Sequence, residues 1–418
     1  MAKSSDPRTD PTPLSFDDLA PKERASAETY LPARLQPGVS QLFRSFWIGG
    51  FESASHINKS GMRIDMVSAT QHDIQVDEYY ARLADWGIQT VREGVRWHLV
   101  ESSRGFDFSS VRSMLDAAQR HRIQPIWALC HYGWPDDLDI LTPGFIDRFA
   151  RYCGRTARFI ADHSDGIRFY TPVNEISFLA WAAGEKAYFH PYREDVGTAL
   201  KHQLVRASIA GMEAIWAVDP TARMMHTEPL IHVLTPRDRP DLARAAADQR
   251  AAQFEAWDML SGAMEPQLGG HPRYLDIVGV NYYHANQWEH PDLRLRWEDT
   301  PRDVRWVPFS RLLAEVHYRY WRPVVVSETS HFGAGRGRWI AEVADEVAKA
   351  REAGAAVEGI CIYPIIDRPD WENPNHWHHS GLWDLQPDSA GRLQRVLSQQ
   401  YAEELRRAQV RVRSRSQG

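Results

Sequence analysis

The feature that most restricts what this chain can fold into is a βα alternation that starts at residue 43 and runs to the end of the last helical stretch. Short β-branched and aromatic runs are each followed by an amphipathic stretch, the two periodicities that distinguish strand from helix. "FRSFWIGGFES" predicts a first strand and "VDEYYARLADWG" a helix closed by Gly87. "IQTVREGVRW" and "SSVRSMLDAAQRHR" make the second unit, and "IQPIWALCHYG" the third strand. Thr142 and Pro143 suit N-cap and N1 of the helix "GFIDRFARYCGRTARFIADHS". "IRFYTPVNE" is the fourth strand, with a helix from about Asp195 to Val218. "ARMMHTEPL" is the fifth strand, with "AAADQRAAQFEAWDML" as its helix. "YLDIVGVNYY" with "FSRLLAEVHYRYW", and "PVVVSET" with "RWIAEVADEVAKAREAG", are the next two units. "VEGICIYPIID" is the eighth strand, and "GRLQRVLSQQYAEELRRA" reads as the closing helix.

Eight such units are the count of an α/β fold of the (β/α)8 TIM barrel type, expected as a single domain. A doubly wound sheet needs no eighth unit, and no glycine-rich phosphate turn follows the first strand. "GAGRGR" at 333–338 lacks the dinucleotide spacing and reads as a loop. Residues 1–40, rich in Pro, Ser, Asp and Lys, read as a disordered N-terminal extension, 41–408 as the barrel and 409–418 as a basic C-terminal tail.

The 418 residues are 43% hydrophobic and 25% charged with a net charge of -6, so nothing suggests a basic nucleic-acid face and no nucleic-acid partner is expected. The three cysteines, Cys130, Cys153 and Cys361, match no zinc pattern and are expected as buried thiols of a reducing compartment. The N-terminus has no apolar leader and no run is long enough to span a bilayer, so a cytoplasmic location is expected. The 16 tryptophans suit a carbohydrate site, because indole faces stack on the C–H faces of sugars, although a large core also uses tryptophan.

In a barrel, chemistry sits at the C-terminal strand ends. Two glutamates interrupt hydrophobic termini there, Glu175 after "YTPV" and Glu328 after "VVVS". Strands four and seven lie on opposite sides of an eight-stranded ring, so these carboxylates can face each other across its mouth. Retaining glycosidases use such a pair, about 5–5.5 Å apart, as nucleophile and acid/base. Structural ion pairs are the competing reading for either glutamate alone. "NHWHHSG" clusters His376, His378 and His379, but on an irregular loop without the rigid frame zinc requires, so no metal and no cofactor are expected. A metal-dependent hydrolase built on His98, His226 and Glu228, a catalytically silent sugar-binding barrel, and a transglycosylase at the same site remain alternatives.

The segments resemble, in order, glycoside hydrolase family 1, the β-glucosidase family of clan A, in divergent form. "TPVNEISF" is similar to the acid/base motif and "VSETS" to the nucleophile motif; "TVREGVRW", "CHYGWPDDL", "LDIVGVNYYHA" and "VEGICIYPIIDRPDWENP" are similar to the second, third, sixth and eighth strand motifs. The resemblance implies Glu328 as nucleophile and Glu175 as acid/base. It implies that Arg92 lies beneath the nucleophile, that Tyr283 touches it, and that Asn174 meets the sugar 2-OH. His56, His131, Tyr363, Asp370 and Trp371 are implied in the glycone site of a small carbohydrate or glycoside substrate. The sequence departs from the family at Ile176 (proline there), Thr329-Ser330 (Asn-Gly), Tyr363 (Trp), Asp370 (Glu) and His56 (Gln).

Overall fold

The computed structural model describes residues 39–414, so residues 1–38 of the expected extension and 415–418 of the expected tail lie outside the described part. Eight parallel strands close on themselves: β1 (Trp47–Gly50), β2 (Thr90–Gly94), β3 (Gln124–Cys130), β4 (Phe169–Val173), β5 (Arg223–Pro229), β6 (Ile277–Asn281), β7 (Val324–Thr329) and β8 (Val357–Ile362). Each strand pairs with its sequence neighbours, and Trp47 against Ile360 closes the ring. The fold is the expected (β/α)8 barrel. Its strands are covered on both sides, which is why runs such as "VVVSET" are buried throughout. Ile48, Ile126, Phe169, Met225, Ile277, Val325 and Cys361, one from each strand but β2, form a packed interior layer.

The helices longer than one turn are α1 (His72–Leu83), α2 (Ser109–His121), α3 (Pro143–Asp162), α4 (Ile176–Gly184), α5 (Gly197–Trp216), α6 (Ala243–Ala251), α7 (Glu255–Ser261), α8 (Phe309–Tyr320), α9 (Gly335–Glu352) and α10 (Gln399–Ser414). Beyond α1 a 3-10 turn over Ala84–Trp86 ends at Gly87, φ +63. Thr142 stands at the N-cap of α3 with Pro143 behind it, but its hydroxyl donates to the Asp139 carbonyl instead of accepting from the helix.

Four expectations change. The fifth unit carries two helices where one was expected, because Gln253 turns inward between them, accepting from the Ile231 amide and donating to the Arg250 carbonyl. "GAGRGR" is the start of α9, not a loop; a Cβ at Gly335 would stand 2.5 Å from the His331 ring, so glycine here serves close packing. The stretch "GRLQRVL" belongs to a strand, Leu393–Leu397, paired antiparallel with Trp383–Pro387 around an Asp388 turn that caps the Ala390 and Arg392 amides. Finally, α10 extends to Ser414, into the stretch expected as a tail, with Val412 buried. The three cysteines are buried and unpaired. Among the described residues, no helix is long and apolar enough to cross a membrane.

Candidate active site

β1 ends at Gly50, after which Phe51–His56 runs past the ends of β2 and β3. The Phe51 amide is held by the Arg92 carbonyl and the Ser55 amide by the His131 carbonyl, at 3.0 Å each. This path brings Glu52 beside His131 and His56 beside Trp371. Glycine is needed at residue 50, where a Cβ would stand 2.2 Å from the Tyr363 ring.

Glu328 reaches the mouth through a β-bulge. Val325 faces the barrel interior and Val326 the helices, so strict alternation would send Glu328 outward. The register slips between Val326 and Glu328 against β6, and between Val326 and Thr329 against β8. The extra residue re-aims the carboxylate inward, a use bulges have beside active sites. There, Arg92 Nη1 sits 2.5 Å from Oε1 and the Tyr283 hydroxyl donates to Oε2 at 2.7 Å. Arg92 is 1% exposed, lies over the Tyr363 ring and also donates to Asn174 Oδ1.

Glu175 is aimed by a different device. It adopts left-handed backbone, φ 46 and ψ 66, at the N-cap of α4. For a residue with a Cβ that conformation is strained and persists only where the surroundings over-determine it. They do: its amide donates to the Thr227 carbonyl at 2.9 Å, Oε1 accepts from Asn281 Nδ2 at 2.9 Å, and Oε2 accepts from the Tyr132 hydroxyl. Ser327 Oγ in turn donates to Asn281 Oδ1 at 2.6 Å, fixing that amide. Because Asn281 is also the strand partner of Glu328, the two glutamates are neighbours across one side chain.

Burial, with the nearby Glu328 charge as second cause, pushes the Glu175 carboxyl up to about 8, against the hydrogen bonds from Tyr132 and Asn281. A carboxyl that binds its proton more tightly folded than unfolded loses stabilisation as pH rises from its ordinary range toward 8. Glu175→Gln is therefore expected to melt about 2–5 °C above the parent protein at pH 8 and within about 1 °C of it at pH 4, measured by differential scanning calorimetry.

A second group lines the mouth beside the pair. His131 Nε2 lies 3.2 Å from Asn174 Nδ2 and its Nδ1 lies 3.2 Å from Ser53 Oγ. Burial, then the Arg92 charge, holds His131 neutral, far below the usual imidazole range. His56 is likewise neutral, pushed down to about 3 by burial and the Arg63 and Arg368 charges. Both its ring nitrogens are buried without a partner, as is Trp371 Nε1, and the two rings meet edge-on at 4.9 Å. Buried polar atoms without a partner are uncommon in folded proteins and call for an explanation.

All the expected site residues but one gather at this mouth. Asp370 turns into its own loop: its Oδ1 accepts from the Glu372 and Asn373 amides and its Oδ2 meets His378. The carboxylate that does lie in the cluster is Glu52, 5% exposed, paired with Arg368 at 3.2 Å and 3.8 Å from His131 Nε2. Burial raises its carboxyl against the pull of Arg368. The Asn174 amide is fully engaged, accepting from Arg92 and Thr227 and donating toward His131 and Tyr132. Glu52 and Asn281 stand out in the sequence as polar residues at the ends of the first and sixth strands, but no role was expected of them; Tyr132 and Arg368 were missed. Tyr132 lies within a quoted motif, a signal that could have found it; the pairing of Glu52 with Arg368 spans most of the chain and left none. His98, His226 and Glu228 do not converge: His98 lies by Asp65, the His226 ring meets Met212, and Glu228 accepts from Ser177.

No known family model matches this chain, and no curated protein matches it in sequence. Solved structures match its fold. A family 1 β-glucosidase from Thermotoga maritima superposes with a TM-score of 0.69 at 13% identity, covering 90% of this chain and 99% of that one. An AHE enzyme from Alicyclobacillus herbarius does so with a TM-score of 0.67 at 17% identity, covering 82% and 88%. The architecture is thus a (β/α)8 barrel, the fold of these solved structures, with a buried carboxylate pair at its mouth.

Proposed function

We propose that this chain is a retaining glycoside hydrolase that cleaves β-glycosides through a covalent glycosyl-enzyme intermediate. The observation that carries the reading is the inequality of the two glutamates. Glu328 has a guanidinium on one oxygen and a phenol on the other, while Glu175 is a buried acid whose proton is held to about pH 8. A retaining mechanism needs two carboxyl groups in unlike surroundings, one as nucleophile and one as proton donor.

In the first step a Glu328 oxygen bonds to the anomeric carbon, the glycosidic C–O bond breaks, and the Glu175 proton passes to the departing oxygen. Glu328 is then an uncharged ester, so the charge that helped raise Glu175 is gone and its pKa falls. Ionised Glu175 accepts a proton from water as that water attacks the anomeric carbon and frees Glu328. His56, His131, Trp371 and the Glu52–Arg368 pair would grip the glycone hydroxyls, and a substrate 2-OH would compete with Tyr132 or His131 for the Asn174 amide. The β-glucosidase from Thermotoga maritima, solved in complex with glucoimidazole, supports the choice of β-glycosides for the test.

Incubation with 2,4-dinitrophenyl 2-deoxy-2-fluoro-β-glycosides should trap the intermediate, because the fluorine slows both steps while the good leaving group keeps formation faster than hydrolysis. Intact-mass measurement should register one added fluoro-sugar, on the peptide carrying Glu328. Failure of every sugar in a broad panel to label that peptide would sink the retaining mechanism.

A further inference from the structure

Glu175 occupies the N-cap of α4 yet leaves the helix uncapped by its own side chain. An N-cap side chain ordinarily accepts from the N2 or N3 amide. Here the N2 amide, that of Ser177, donates to Glu228 instead, 3.0 Å from Oε2 and 3.3 Å from Oε1. The Ile176 amide also bears on this carboxylate. Glu228 is 2% exposed and comes from β5, a different strand. Its neighbour Thr227 holds the other side of the dipeptide, with its hydroxyl donating to Asn174 at 2.7 Å and its carbonyl accepting from the Glu175 amide. The end of β5 therefore grips Asn174-Glu175 on one side and the first turn of α4 on the other.

We propose that Glu228 is a positioning residue for the Glu175 acid: it supplies the helix cap that Glu175 gives up, holds its left-handed backbone and, once ionised, places a second negative charge beside it. The proposal rests on the reading of Glu175 as acid/base. A side chain that must point at a leaving group cannot also bond to its own helix, so the orphan amides need an acceptor from elsewhere. A carboxylate is the strongest acceptor available, and the helix N-terminus favours its charge.

Burial raises the Glu228 carboxyl to about 7, against its hydrogen bonds from Ser177 and the Lys201 charge. The groups acting on Glu175 are Glu328, Tyr132, Asn281 and Glu228 itself. Removing the Glu228 charge takes away one of the two negative charges that raise Glu175. The Glu175 titration should then move down in pH.

The test compares Glu228→Gln, which keeps an acceptor for Ser177 but no charge, with Glu228→Ala, which keeps neither. Phenyl β-glycosides need a proton on departure; 2,4-dinitrophenyl β-glycosides do not. Glu228→Ala should lose about 50-fold or more in kcat/KM on the phenyl substrate and less than about 5-fold on the dinitrophenyl one. Glu228→Gln should stay within about 5-fold of the parent at pH 6, with its alkaline limb moved to lower pH. Equal losses on both substrates, or no loss on the phenyl one, would overturn the proposal. A second readout needs no turnover: ¹³C-NMR of the Glu175 carboxyl, assigned by difference from Glu175→Gln. Its midpoint should fall in folded Glu228→Gln, and an unchanged midpoint overturns the coupling even if Glu228→Ala does not fold. A lowered midpoint in a protein that hydrolyses no glycoside would remove the hydrolase reading and leave the coupling standing.

Discussion

Glu328→Ala is expected to lower turnover of an aryl β-glycoside by at least about 10⁴-fold, the scale on which enzymes lose rate when a covalent nucleophile is removed. The substitution also opens space on the face of the sugar where the carboxylate stood. A small anionic nucleophile such as azide can enter there and attack the anomeric carbon directly. Because it attacks once, from that face, the product is the α-glycosyl azide, inverted relative to the β-substrate. Arg92 remains to attract the anion, having lost its partner at 2.5 Å. The measurement is rate with and without azide, with product configuration by proton NMR. A rate within about 10-fold of the parent would remove Glu328 from the nucleophile's role and favour a silent sugar-binding barrel or another chemistry.

Glu175→Ala should separate substrates by their leaving groups. With phenyl β-glycosides the loss is expected at about 10²–10⁴-fold, the range general acid catalysis supplies. With dinitrophenyl β-glycosides the first step needs no proton, so the glycosyl-enzyme forms and then accumulates for want of a base. A burst of dinitrophenol followed by slow release is the kinetic sign. Azide should restore the second step and yield the β-glycosyl azide, opposite in configuration to the Glu328→Ala product. In the parent protein the phenyl rate should fall as pH rises through about 8, because the acid is then ionised. An alkaline limb below about pH 6 would contradict the protonation derived from burial and the Glu328 charge. Two azide products of opposite hand from the two variants would assign nucleophile and acid separately, which neither variant does alone.

Among the motif departures, Ile176 keeps a backbone N–H where proline has none. That amide bears on Glu228, so the site includes an acceptor for what the residue adds. Asp370 departs in a different way: its carboxylate serves its own loop, and Glu52 supplies one at the mouth. Tyr363 keeps an aromatic face under Arg92 and adds a hydroxyl 3.4 Å from Glu52 and from His131.

The barrel was legible in the sequence because strand and helix periodicities are local, and eight repeats of one unit leave few ways to bury them. The prominence of Glu175 and Glu328 was legible for a related reason, since a charge at the end of an apolar strand conflicts with its surroundings. How each carboxylate turns inward was not. For Glu328 that depends on a bulge defined against both β6 and β8, and for Glu175 on a left-handed backbone clamped from β3, β5 and β6. The strand Leu393–Leu397 was lost for the same reason: its partner at Trp383–Pro387, not its own composition, decides against helix. The ion pair of Glu52 with Arg368 joins the first strand's exit to the last. Sequence pattern thus determined which elements form and which end of the barrel carries the charges. Tertiary structure alone decided where each carboxylate points and how tightly Glu175 holds its proton, because both depend on burial and on groups brought together from distant parts of the chain.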